Sequence, residues 1–293
     1  MIAVTGATGN IGSKLTRILL DKGEKVLCIA RHADKLIPFT DRGAGAVAIS
    51  LAQTDLLAEA FYGAEAVFAM IPPNYAAPDF LAYQDMIGTS LVEAIEQSGV
   101  KNVVNLSSLG ADLPDKTGPI KGLRAQELRL NRLKGVNVLH LQPAYFMENL
   151  LVNADLIKTQ NIMGSALRSD LQMHMVATRD IAAVAAQHLQ KRDFAGKSVV
   201  QLLGRSDLTM DEATAIIGRK IDKPDLRYVQ FSYEDTEKAL AGIGFSADAV
   251  KLFIEMSRAF NEGLIKGIRT KENTTGTAFE EFAQIFRSLA GGR

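Results

Sequence analysis

A chain of 293 residues, 47% of them hydrophobic, can bury a full core, which argues against disorder and fits one large α/β domain with or without a smaller companion. Its 33 basic and 33 acidic residues cancel to a formal charge of zero, so the positive field of a nucleic-acid or anionic-membrane binder is missing. The single cysteine, Cys28, excludes a disulfide framework, and there is neither a basic leader with an apolar core nor an apolar run of about 18 residues, so the expectation is a soluble cytoplasmic protein with a small-molecule partner.

Ile2-Ala3-Val4 is a short apolar run of the kind a strand buried on both faces shows, and Ile11, Leu15, Ile18 and Leu19 recur at helical spacing. Between them, Thr5-Gly6-Ala7-Thr8-Gly9-Asn10-Ile11-Gly12 puts three glycines on a strand-to-helix turn. Gly6 permits a bend that a Cβ would obstruct, Gly9 lets a phosphate approach the chain, and Gly12 lets helix and strand pack closely. The helix N-terminus then offers free N–H groups and a positive dipole end to a pyrophosphate. The expected cradle is Gly6, Thr8, Gly9, Asn10, Ile11 and Gly12; a turn that serves packing alone is the competing reading.

Lys25 to Ala30 reads as a second strand ending at Arg31-His32-Ala33-Asp34-Lys35. An NAD site usually places a carboxylate at this strand end, to bond the ribose hydroxyls. Arg31 cannot accept those bonds but can grip a 2′-phosphate, with Lys35 one turn away, so the pattern favours NADP(H) over a merely solvated charge.

Strands over Ala46–Ile49, Ala66–Ile71, Val103–Leu106 and Val136–Leu141 alternate with helices over Leu56–Tyr62 and Phe80–Ser98. This is the rhythm of a Rossmann-type, doubly wound parallel sheet in an α/β fold. Ligands of such sheets lie at the carboxyl ends of the strands, which assigns Ser50, Leu51, Met70, Ile71, Pro72, Ser107 and Pro143 to the cofactor crevice.

The blocks TGATGNIG, IARHADKL, AMIPPN, VVNLSSLGA, LQPAYFMENLL and MVATRDIA, in this order, resemble the NmrA-like branch of the atypical short-chain dehydrogenase/reductases. The resemblance spans about the first two hundred residues. It implies a bound NADP(H), and either quinone or azo reduction or a regulator that binds the dinucleotide without turning it over. It also implies that Asn149 bonds loop backbone near the cofactor.

Reductases of the wider superfamily protonate a carbonyl with a Tyr whose pKa is lowered by a Lys four residues on, beside a Ser. Ser107 is kept, but no tyrosine stands between Tyr83 and Tyr145. Lys121, expected in a loop ahead of a helix that starts at Gln126 and Glu127, is the remaining weak candidate beside Ser107. A ketone would need an acid, whereas a quinone yields a delocalised, weakly basic anion that water can protonate. The expected activity is therefore NADPH-dependent reduction of quinone-like or other flat acceptors without a Tyr-Lys acid. The alternative is a non-catalytic redox sensor acting through a protein partner. Pro73, Tyr75, Tyr145 and Phe146 are expected to wall the acceptor, each with a core-packing alternative.

Residues 1–150, with 176–200 returning, read as the dinucleotide-binding domain; 151–175 and 201–293 read as a smaller mixed α/β substrate lobe roofing the crevice. Asp180 is expected to cap the helix over Ile181–Leu189, and Thr209 with Glu212, Ser232 with Asp235 and Thr277 with Glu280 read as capping boxes. His174 belongs in a lobe strand, and the four histidines form no metal-binding pattern. The final Ala290-Gly291-Gly292-Arg293 is expected to fray.

Overall fold

In β1 (Ile2–Thr5), Ile2 and Val4 enter one hydrophobic cluster and Ala3 the other, and all are buried, which is why the run is continuously apolar. The computed structural model describes residues 1–289; the expected fraying of Ala290–Arg293 lies outside them. After β1 come α1 (Asn10–Asp21), β2 (Val26–Ala30), α2 (Ile37–Thr40), β3 (Gly45–Ala48), α3 (Thr54–Phe61), β4 (Ala66–Ala69), α4 (Phe80–Ser98), β5 (Asn102–Leu106), α5 (Ile120–Arg132) and β6 (Asn137–Pro143). Then follow β7 (Tyr145–Phe146), α6 (Ala154–Gln160), β8 (Ile162–Ser165), β9 (Met173–Val176), α7 (Thr178–Lys191) and β10 (Lys197–Leu202). The chain continues with β11 (Asp207–Leu208), α8 (Met210–Lys220), β12 (Arg227–Gln230), α9 (Tyr233–Gly242), α10 (Ala247–Asn261), α11 (Phe279–Phe282) and α12 (Ile285–Leu289).

The main sheet has seven parallel strands in the order β10-β6-β5-β4-β1-β2-β3, the doubly wound α/β architecture expected from the alternation. The order reverses between β1 and β4, where such sheets open a crevice. Helices α1 and α7 pack together on one face; α3, α4 and α5 cover the other. A three-stranded sheet, β11-β9-β7, and a parallel pair, β12-β8, lie against a separate core that holds Met147, Ile157, Met210, Phe279 and Phe286. No helix among the described residues is long and apolar enough to cross a membrane.

Several local expectations change. Strand β4 stops at Ala69 because the Thr5 hydroxyl donates to the Phe68 carbonyl (2.9 Å) and accepts from the Met70 N–H (3.1 Å), taking that amide out of the ladder. Helix α5 begins at Ile120, so Lys121 lies in its first turn rather than in a loop, and Gln126 and Glu127 fall mid-helix. Asp180 does not cap α7: the N-cap is Ala177, and the Glu148 carboxylate accepts from the Thr178 N–H (3.0 Å) and hydroxyl instead. Asp180 accepts from the N–H (2.9 Å) and hydroxyl (2.6 Å) of Thr277, so Thr277 anchors a distant segment and is not the cap of α11. The Thr209–Glu212 box is complete; Ser232 caps α9 through the Asp235 N–H, and Ser246 caps α10 through the Ala249 N–H without an acidic partner to signal it. His174, in β9, is fixed by Asp207 (2.6 Å) and the Gly267 carbonyl (3.1 Å).

Candidate active site

The glycine turn joins β1 to α1, and its three glycines stand in three environments. Gly6 has φ +62, a left-handed conformation that a side chain would strain. At Gly12 a Cβ would run into the Gly6 carbonyl, so this glycine is what lets α1 sit on the turn. Gly9 is exposed and a Cβ there would meet only the Gly6 oxygen, at 3.3 Å. Gly9 also forms the N-cap without a side-chain bond, and the N–H groups of Asn10, Ile11 and Gly12 have no acceptor among the described residues. The turn therefore presents open donors and a positive helix end at a surface position, which fits a pyrophosphate. Ile11 is buried in the first turn of α1, while Thr8 is half-buried and Asn10 exposed. Arg31 follows β2 directly and Lys35 lies in a short 3-10 turn; both are exposed. After β3, the Ser50 N–H is taken by the Gln53 side chain (2.9 Å), and Leu51 is buried.

At the carboxyl ends of β4, β5 and β6 lies a largely apolar cavity of about 280 Å³. It brings together Met70, Ile71, Pro73 and Tyr75 from one loop with Ser107, and with Pro143, Tyr145 and Phe146 from the β6–β7 corner. Pro72, Ser50, Leu51 and Lys121 do not line it. The wall that sequence reasoning missed is α10, whose Phe253, Met256 and Phe260 face the cavity at the i, i+3, i+7 spacing of one helix face. That stripe was legible, but not what it would cover. A second chamber of about 180 Å³ shares Leu109, Tyr145 and Phe260 with the first and continues between β9 and the segment after α10. A larger hollow of about 650 Å³ over α7 and β10 includes neither the glycine turn nor the β4–β6 ends.

The roof is held by aromatic contacts. Tyr75 stacks on Phe245 at 4.3 Å between ring centroids and meets Phe253 edge-on at 5.5 Å; Phe80 meets Phe253 at 6.3 Å. Backbone bonds secure the same seam: the Ser246 N–H donates to the Tyr75 carbonyl (2.8 Å), and Asp248 accepts from the Phe80 N–H (2.8 Å). Tyr75 thus borders the cavity while serving as packing for the α9–α10 corner.

The polar groups divide sharply. Lys121 is paired with Glu255 (3.0 Å) and Asp115 (3.5 Å); burial alone would lower its pKa, but the two carboxylates outweigh it and raise it, so it is held as a cation away from the cavity. Burial pushes the Tyr145 phenol well above its ordinary value, which keeps it protonated. Asn149 is exposed and borders the cavity, whereas the backbone-binding task is done by its neighbours: Glu148 at α7 and Asn153, which accepts from the Gly164 N–H at 2.8 Å. His140, under the β5–β6 floor, is bonded to Asn105 (3.1 Å) and Asn131 (3.0 Å) and is held neutral by burial, with its pKa down to about 4. Among the described residues no group of three or more His, Cys, Asp or Glu is placed to hold a metal ion.

The chain as a whole is similar to known proteins. An NAD(P)H azoreductase of Xenophilus azovorans is 28% identical over 99% of this chain and 99% of its own. A (4-alkanoyl-5-oxo-2,5-dihydrofuran-3-yl)methyl phosphate reductase of Streptomyces griseus subsp. griseus is 30% identical over 82% of this chain and 80% of its own. The structure of an NADPH-dependent quinone oxidoreductase from Escherichia coli, complexed with NADPH, superposes with a TM-score of 0.81 at 21% identity, covering 97% of this chain and 98% of that one. A model of the NmrA-like family matches residues 1–284, in agreement with the motif blocks, and the chain belongs to the NmrA-like family.

Proposed function

We propose that the protein is an NADPH-dependent reductase of flat, readily reduced acceptors. The observation that carries this reading is the apolar cavity at the β4–β6 ends, which Ser107 lines; on this reading, reduction proceeds without a Tyr-Lys acid. Gly6, Thr8, Gly9, Asn10, Ile11 and Gly12 hold the pyrophosphate, Arg31 and Lys35 the 2′-phosphate. Ser50 and Leu51 flank the adenine side, and Met70, Ile71, Pro72, Ser107 and Pro143 the nicotinamide side. When bound, the cofactor supplies a hydride. The chain's part is to hold an acceptor flat against it, within about 3 to 3.5 Å, between Pro73, Tyr75, Tyr145 and Phe146 and under the α10 stripe. Residues 1–150 with 176–200 form the dinucleotide unit, and the segments 151–175 and 201 onward select the acceptor.

The substrates that the relatives are named for support this class. Azo compounds, quinones and an oxo-dihydrofuran all accept a hydride's electron pair into a conjugated system, which supports a flat acceptor rather than an isolated ketone. The second chamber leaves room for a ring system beyond the one being reduced. The test is NADPH oxidation with a panel of quinones and azo compounds, expected to exceed the uncatalysed rate. NADPH binding without such turnover would replace the reductase by a dinucleotide sensor acting through a protein partner.

A further inference from the structure

Reduction of a quinone-like acceptor consumes a proton as well as a hydride, and behind the cavity wall lies a carboxyl that the fold leaves without a cationic partner in direct contact. Glu127 is only 8% exposed. It follows Ile120 and Leu123 at the i, i+3, i+7 spacing of one α5 face, and both of those residues line the cavity. Its Oε1 accepts a hydrogen bond from Gln142 Nε2 at 2.9 Å, a neutral donor. Ser107, which lines the cavity, approaches the same carboxyl closely enough to favour its charged form, yet the buried Ser107 hydroxyl has no partner in hydrogen-bond geometry.

The other groups around Glu127 do not fix it as a carboxylate. Arg124, one turn earlier, spends Nη1 on the carbonyls of Ala111 (3.0 Å) and Asp112 (2.8 Å), and the Asp112 carboxylate opposes a charge on Glu127. Arg129, further along α5, pairs with Asp85 of α4. Burial pushes the Glu127 carboxyl above the usual range, and Ser107, Gln142 and Arg124 offset this only in part. A protonated carboxyl here has an O–H to donate, and the Ser107 hydroxyl, at the cavity lining, is buried without a partner among the described residues.

We propose that Glu127 is the proton source of the reduction and that Ser107 passes the proton to the acceptor. The inference rests on the reductase reading above. With hydride added to the conjugated system, the electron pair displaced onto the acceptor's oxygen or nitrogen takes the Ser107 hydroxyl proton. Ser107 takes the Glu127 proton in the same event, so one O–H or N–H bond forms on the product and the Glu127 O–H breaks. Glu127 is left as a carboxylate and regains a proton from water once product leaves.

The test is Glu127→Gln, which keeps the shape and still accepts from Gln142. Its kcat/KM for a quinone should fall about a hundredfold, the lower end of general acid catalysis. Wild-type kcat/KM should fall as pH rises through the raised Glu127 pKa, while the variant's profile stays flat over that range. Infrared spectra of the protein without acceptor should show a protonated carboxyl that persists above the ordinary glutamate range and is missing in the variant. Equal kcat/KM and equal pH profiles in a wild type that turns over would overturn the proton path alone. An infrared titration that finds Glu127 ionised throughout that range would also overturn it. A wild type with no turnover on any acceptor removes the reductase reading and this inference with it.

Discussion

The glycine turn presents open backbone N–H groups within residues 6–12, whereas the strand-end cavity is walled by side chains as distant in sequence as Met70 and Phe260. In the turn one atom decides: a Cβ at Gly12 collides with the Gly6 carbonyl. In the cavity no single residue has that power, because each wall side chain shares its task with neighbours from other elements. A backbone site is thus intolerant and local, and a side-chain site is tolerant and dispersed.

The sharpest way to break this contrast is to compare two glycines of the turn. Gly12→Val should cost on the order of 3 kcal/mol, because the collision is with backbone that cannot turn aside, and urea unfolding measures it. Gly9→Val should leave the fold nearly intact and abolish binding of both NADPH and NADH, as followed by calorimetric titration. Unchanged affinity for both nucleotides in Gly9→Val would mean that the turn serves packing alone.

Acid probes the floor of the cavity half. The Asn105 amide donates to His140 Nδ1, which leaves Nε2–H to donate to Asn131, so the neutral ring is fully satisfied. Burial, aided by Lys197, depresses the folded pKa from 6.5 to about 4. A histidine with a depressed folded value stabilises the fold above its unfolded pKa, and that stability is lost as pH falls from 6.5 toward about 4. The loss should reach about 3 kcal/mol. Urea midpoints across this window should fall more steeply for wild type than for His140→Gln; parallel slopes would show that the floor does not respond to this ring.

Smaller again is the effect at the end of β2. If Arg31 holds the 2′-phosphate, Arg31→Ala should lose about 1.5 to 3 kcal/mol of NADPH affinity, roughly ten- to a hundredfold, and leave NADH unchanged. The loss should shrink with salt, since Arg31 is exposed. Equal weakening toward both nucleotides would withdraw the preference for NADP(H). The smallest effect extends the contrast to the lobe. Thr209→Ala removes a complete capping box and should cost about 1 kcal/mol of stability with cofactor affinity unchanged. A change in NADPH affinity there would show that lobe and turn are not independent.

Much of the fold was legible because its signals are local. Apolar runs marked β1, β2 and β5, the expected helix over Phe80–Ser98 has the bounds of α4, and Thr209 with Glu212 announced α8. Where reasoning failed, a distant partner had taken over a local role. Asp180 looks like a cap because it stands near a helix start, but Glu148 reaches Thr178 from another segment and frees Asp180 to anchor Thr277. Lys121 looked like a loop residue beside two glycines, yet Gly118 and Gly122 flank a helix start, and the lysine is claimed by Glu255 of α10.

By itself, then, the sequence determined the parallel doubly wound sheet, the family and the glycine turn, since each is signalled by short local patterns whose order along the chain is read without knowing what they face. Only the tertiary structure decided that Phe253, Met256 and Phe260 roof the cavity, that Tyr75 belongs to an aromatic seam, and that Glu127 lies buried beside Ser107. The reason is physical: a helical stripe or a glutamate has the same local pattern whatever it faces, and its environment, which sets its burial and its proton affinity, comes from elements that the chain reaches only by folding.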